Sequence, residues 1–177
     1  QHSSGQGAGA SGKNDPREVF GWTMYDWANS AFSTTVITVL IGPYLTSLAQ
    51  ADVGENGVVL ALGPLGSVTA KSLFPFCISA SVLSQVLFLP SLGALADFTH
   101  LKKPLLAWFS AVGAFATCLL FFVSDGGYLA GGVLLVAANL CFGAALVVYN
   151  AFLNDITTED QRDRVSSRGF ALGYLGG

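Results

Sequence analysis

Four stretches of this chain carry no Asp, Glu, Lys or Arg at all: Trp27–Ala51, Ser72–Ala96, Pro104–Ser124 and Gly126–Asn154. A helix needs about 20 apolar residues to cross a hydrocarbon core of roughly 30 Å, and each stretch is long enough. A core helix of a soluble domain would show a polar residue every few positions on its wet face. These do not. Nor do they alternate polar and apolar as the strands of a membrane barrel would. Lipid offers no partner to the backbone, so helices are what remains. Composition agrees: 11% of the 177 residues are charged, against about 25% in soluble domains. The expected fold is an all-α, polytopic transmembrane helix bundle.

The same inventory excludes several functions. A net charge of −3 without a basic stripe gives no footing for nucleic acid. Cys77, Cys118 and Cys141 fall inside the apolar runs, as small packing residues do. With His2 and His100 as its only histidines, the chain offers no His-rich metal cluster, and no metal or other cofactor is expected. No nucleophile–base pair with His and no Gly-rich phosphate loop is present, so an enzyme is not expected.

Residues 1–20 begin Gly/Ser/Gln-rich and read as a disordered tail; residues 21–177 read as the membrane part. Spans are expected at about 26–49, 73–96, 105–123 and 129–153, with a fifth starting at Gly169 and running to 177. A chain stopping inside a span is expected to be a fragment of a longer protein. Gly42-Pro43, Pro90 and Gly93 are expected bend points. The segment VVLALGPLGSV in the connection Gln50–Lys71 is too short and broken to span, and reads as a loop or surface piece. Seven of the eight Lys and Arg fall on one side: Lys13, Arg17, Lys102, Lys103, Arg162, Arg164 and Arg168, with Lys71 opposite. The positive side is the cytoplasmic one, which puts the N-terminus in the cytoplasm. Trp22, Tyr25 and Trp27 would form an aromatic belt at that interface.

At 100° per residue, Asp26, Ser30, Thr34 and Thr38 drift slowly round one side of the first span, flanked by Asn29 and Ser33. Polar stripes in spans face a bundle interior or a water-filled path. Two readings of this stripe stand. It lines a substrate or proton pathway, or its hydroxyls bond back to their own helix and Asp26 favours the positive helix start. Gln85 and Asn139, lone amides in mid-span, need partners in lipid: another helix, or a ligand. Small residues recur every fourth position at Ser110, Ala114 and Cys118, at Ala137, Cys141 and Ala145, and at Gly169, Gly173 and Gly177. Such faces let helices approach closely. The loop Asp155–Arg168 mixes signs as a solvated linker does; Asp160 and Arg164 sit at helical pair spacing, and Ser166 or Ser167 could cap the fifth helix.

Gly93, Asp97 and Lys102 resemble the connector after the second helix of the major facilitator superfamily, Gly-x-x-x-Asp-Arg-x-Gly-Arg-Lys/Arg. Phe98, His100 and Leu101 depart from it. The stretches Tyr25–Leu40, Leu73–Asp97 and Tyr149–Gly177 look like the vacuole-effluxer-like branch, which includes the fungal autophagy-related amino-acid effluxers. The resemblance implies twelve spans in two six-helix halves, of which this chain would hold four and the start of a fifth. It implies secondary transport by alternating access, with small metabolites such as amino acids as cargo. Gly93, Asp97, Lys102 and Lys103 would form the gating connector. Arg162, Arg164 and Arg168 would lie in a cytoplasmic loop. The implied partners are the lipid bilayer, a small-molecule substrate and the missing C-terminal half. The implied location is the inner membrane in a bacterium or the vacuolar membrane in a eukaryote. The competing expectation is a non-transporting membrane assembly subunit that binds partner helices through its small-residue faces.

Overall fold

The computed structural model describes residues 13–98 and 101–177; Thr99 and His100 of the connector lie outside them. Among the described residues four helical segments are long and apolar enough to cross a membrane: Pro16–Val53, Ala70–Asp97, Lys102–Leu120 and Tyr128–Ile156. The residues group into two units, one holding the chain up to Val36 together with Tyr149–Gly177, the other Ile37–Val148.

In the first unit, helix α1 spans Pro16–Ala31. The side chain of Asp15 accepts from the Arg17 amide at 2.8 Å, Pro16 opens the first turn and Glu18 follows within it. All three favour a helix start. The order therefore begins inside the stretch 1–20 that composition marks as tail. Lys13 Nζ donates to the Asn154 carbonyl at 3.0 Å, and the Asn14 amide to that of Ile156 at 2.7 Å. Helix α5 spans Tyr128–Ile156 and α6 spans Glu159–Gly176. The mixed-charge loop is mostly the first turns of α6. Thr158 stands at its N-cap position, and Glu159 and Asp160 meet the positive helix end. Ser167 does not cap; its hydroxyl donates back to the Asp163 carbonyl at 2.7 Å.

Beyond α1 the backbone runs as a π-helix over Phe32–Ile41 and then as α2 over Gly42–Val53. Pro43 has no N–H, and its ring clashes with the carbonyl four residues back. The ladder before it takes the wider i→i+5 spacing, a form met mostly as single turns at functional sites. The 100° rule therefore fails for Thr34 and Thr38. A wider helix turns less per residue, so a step of four no longer overshoots a full turn.

In the second unit the connection after α2 is a β-hairpin, β1 (Val58–Ala61) and β2 (Ser67–Thr69), antiparallel with Leu60 opposite Val68. Gly63 and Gly66, at φ 61° and 101°, make the turn a side chain would strain. VVLALGPLGSV is thus neither span nor loose loop. Val59 and Val68 bury against Leu45, Ala49, Leu73, Cys77, Tyr128 and Leu135. Tyr44 Oη donates to the Val123 carbonyl.

Helix α3 (Leu73–Phe98) runs unbroken through Pro90, and α4 spans Lys102–Leu120. The most apolar window of α5 is 50% buried, against 11% for that of α4. Tyr128, Leu135, Ala138, Asn139, Ala144, Ala145 and Val148 are among its buried side chains in this unit. On α4 the packing face is Gly113, Ala116 and Leu120, not Ser110, Ala114 and Cys118; Ala114 and Cys118 are exposed. A Cβ on Gly113 would stand 3.2 Å from that of Cys141, so the missing side chain sets where α4 and α5 meet. Elsewhere large apolar side chains point outward, among them Leu83, Leu87, Trp108 and Phe115 at 65–68% exposure, as a lipid-facing surface requires.

Gln85 and Asn139 fasten α3 to α5. Gln85 Nε2 donates to the Asn139 carbonyl at 2.9 Å, and Asn139 Nδ2 to Ser81 Oγ at 2.6 Å. A Cβ on Gly143 would stand 2.5 Å from Gln85 Oε1. Asn139→Ala should cost about 0.6–1.7 kcal/mol, read as a lowered melting temperature of the full-length protein in detergent. An unchanged melting temperature would contradict the fastening role.

Candidate functional site

The first unit assembles part of the polar stripe against the glycines of α6. A Cβ on Gly169 would stand 2.5 Å from the Trp22 ring, and one on Gly173 2.8 Å from Asp26 Oδ2 and 3.0 Å from Ser30 Oγ. One on Gly177 would stand 2.6 Å from Thr34 Oγ1. Contacts that climb together from Trp22 to Thr34 and from Gly169 to Gly177 mean that α1 and α6 run parallel. That is the direction expected of a first and a fifth span with three between them. The glycine repeat is the close-approach face that its spacing predicts, and it brings backbone against the carboxylate.

Asp26 is half-buried there, and among the described residues no Lys or Arg pairs with it. Ser30 Oγ donates back to the Asp26 carbonyl at 2.9 Å, and Ser33 Oγ to that of Ser30 at 3.1 Å. These serines therefore spend hydrogen bonds on their own helix. Asn29 is half-buried, its carbonyl taking the amide of Phe32. Thr34 is exposed beside Gly177. Thr38 is exposed and belongs to the second unit.

Sequence reasoning passed over Tyr149. Its ring stacks on Trp22, centroids 4.4 Å apart and planes within 9°, and on Tyr25 at 5.1 Å and 26°. Trp22 Nε1 donates to the Tyr149 carbonyl at 3.1 Å. Within this unit Trp22 is buried and Tyr25 half-buried, while Trp27 alone of the three is well exposed, at 47%. Rings at these separations leave no gap for a cation, so the trio is a wall and not a cage. Tyr149 is 3% exposed, and its hydroxyl has no hydrogen-bond partner among the described residues. A partner 127 positions away in sequence leaves no local signal.

The remaining expected site residues are not among those that meet at this cluster. Gln85 and Asn139 belong to the second unit, as do the connector residues. There a Cβ on Gly93 would stand 3.6 Å from Val147 Cγ1, Asp97 and Lys103 are exposed and Lys102 is half-buried. On α6, Arg164 and Arg168 are exposed, while Arg162 is half-buried with its Nε enclosed. Asp160 does not pair with Arg164. Hydrogen bonds with Thr158 and Gln161 hold its carboxyl below the usual range, and Thr158 in turn accepts from Asn14 at 2.9 Å. Among the described residues no three of His, Cys, Asp and Glu gather closely enough to hold a metal ion.

Comparison with known proteins gives the chain its relatives. The sequence model of the family described as "Vacuole effluxer Atg22 like" matches residues 14–177. An uncharacterized MFS-type transporter, YxiO of Bacillus subtilis, is 35% identical over 88% of this chain and 34% of its own length. Autophagy-related protein 22 of Chaetomium globosum is 31% identical over 78% of this chain and 24% of its own. Autophagy-related protein 22-1 of Emericella nidulans is 28% identical over 77% and 28%. The chain thus spans about a quarter to a third of the length of these relatives. No solved structure matches it.

Proposed function

The chain belongs to the vacuole effluxer Atg22-like family, and from that premise we propose that it is part of a secondary transporter that exports small metabolites, amino acids among them, by alternating access. The observation that carries this is the juncture of α1 and α6. It holds a half-buried carboxylate with no cationic partner among the described residues, on a helix that continues into a ten-residue π segment. An intramembrane carboxylate is costly unless it serves a path. A π segment is a place where a helix can change its hydrogen bonding.

In this proposal Asp26, Asn29, Ser30, Thr34 and Thr38 line the route of cargo or proton. Gln85 and Asn139, bonded as they are, act as helix fasteners. Gly93, Asp97, Lys102 and Lys103 form the connector that closes the cytoplasmic mouth against the second half of the protein. Arg162, Arg164 and Arg168 share that side, where the excess of positive charge belongs. The N-terminus then lies in the cytoplasm, and the membrane is the inner one of a bacterium or that of a vacuole.

The test is efflux. Full-length protein in liposomes, loaded with one labelled amino acid at a time, should release at least one of them several times faster than protein-free vesicles. Release at the leak rate for all of them would contradict the amino-acid cargo.

A further inference from the structure

Among the described residues the enclosed hydroxyl of Tyr149 has no hydrogen-bond partner, and its ring packs on Tyr25, the neighbour of a carboxylate that no Lys or Arg pairs with. Trp22, Tyr25, Asp26 and Asn29 stand at positions i, i+3, i+4 and i+7 of α1, one face of the helix. Tyr149 packs on the first two of these. Asp26 shares that helix face, yet no hydrogen bond joins its carboxylate to the Tyr149 hydroxyl. An enclosed hydroxyl without a partner costs about 1–3 kcal/mol. Such a cost persists where another state of the protein uses the group.

From α1 the titratable group neighbouring Asp26 is Tyr25, and from α5 it is Tyr149. On α6 the residue against Asp26 is Gly173, without charge. Arg162 sits about three turns before Gly173. In the parallel alignment of α1 and α6 it falls near the start of α1, away from Asp26.

We propose that Tyr149 is a positioning residue for Asp26: its hydroxyl is the donor that the ionised carboxylate takes up in another state of the transport cycle, and it sets how readily Asp26 gains a proton. The inference rests on the proton-carrying form of the proposed function. A donor to the ionised form favours that form, so removing the hydroxyl makes Asp26 easier to protonate. Tyr149→Phe keeps the ring and its stacking on Trp22, and changes only the donor.

The test is an infrared titration of full-length protein in liposomes from about pH 4 to about pH 9. The carboxyl band missing from Asp26→Asn identifies Asp26. Tyr149→Phe should raise its midpoint by about one pH unit or more, while Tyr25→Phe should leave it within a few tenths. An unmoved midpoint in Tyr149→Phe, or an equal shift in Tyr25→Phe, would overturn the role of Tyr149 alone. The absence of any Asp26 band over the range would overturn the proton-carrying reading beneath it.

Discussion

Gly169→Ala is expected to lower the melting temperature of the full-length protein, whereas Gly21→Ala is expected to raise it slightly or leave it unchanged. The chemical change is the same. At Gly169 the added methyl would stand 2.5 Å from Trp22 Cζ3 and 3.1 Å from Cη2. The indole cannot turn aside without cost. One face stacks on Tyr149 at 4.4 Å, and its Nε1 is bonded to the Tyr149 carbonyl. Overpacking of this kind costs about 1–3 kcal/mol. It would fall on the α1–α6 contact that holds the first unit together. At Gly21 nothing lies within 4 Å of the same methyl, and Ala is the better helix former by about 1 kcal/mol. Thermal unfolding followed by size-exclusion chromatography reads both variants. Equal melting temperatures for the two would show that α1 and α6 do not meet through Gly169.

That contact was legible from the spacing of Gly169, Gly173 and Gly177, because close approach needs only absent side chains at one helical repeat. Membrane-crossing length was legible for a similar reason: it is a property of runs, and runs need no partner. The small-residue repeat on α4 misled, since Ser110, Ala114 and Cys118 match the spacing but the neighbouring Gly113 faces Cys141. Spacing alone does not choose between adjacent faces of one helix. The hairpin at Val58–Thr69 hid behind an apolar stretch because what buries Val59 and Val68 comes from distant Leu45, Leu135 and Tyr128. The burial of Trp22 hid for the same reason, its partner Tyr149 being 127 residues away. The π segment follows from Pro43, but a proline announces a disturbed ladder without saying how the ladder is mended.

Ser30 and Ser33 bear out the reading in which hydroxyls bond back to their own helix. Asp26 is different. Its backbone carbonyl, not its carboxylate, serves Ser30, and the carboxylate is left half-buried against Gly173. Asparagine has nearly the same shape, so Asp26→Asn should fit beside Gly173 and leave folding intact while removing the charge. A hydrogen bond to a charged group is worth about 1.5–3 kcal/mol, which corresponds to a loss of about ten- to a hundredfold in transport rate. Asp26 does not steady a helix start, because α1 begins at Pro16, well before it, and the dipole effect fades within the first turn; a purely structural carboxylate would instead cost stability on replacement and spare transport.

Efflux by full-length protein in liposomes, compared for the native chain and Asp26→Asn at several pH values, separates the two. A rate reduced at least about tenfold at an unchanged melting temperature is the expected result. Native efflux at every pH would contradict a place for Asp26 on the transport path.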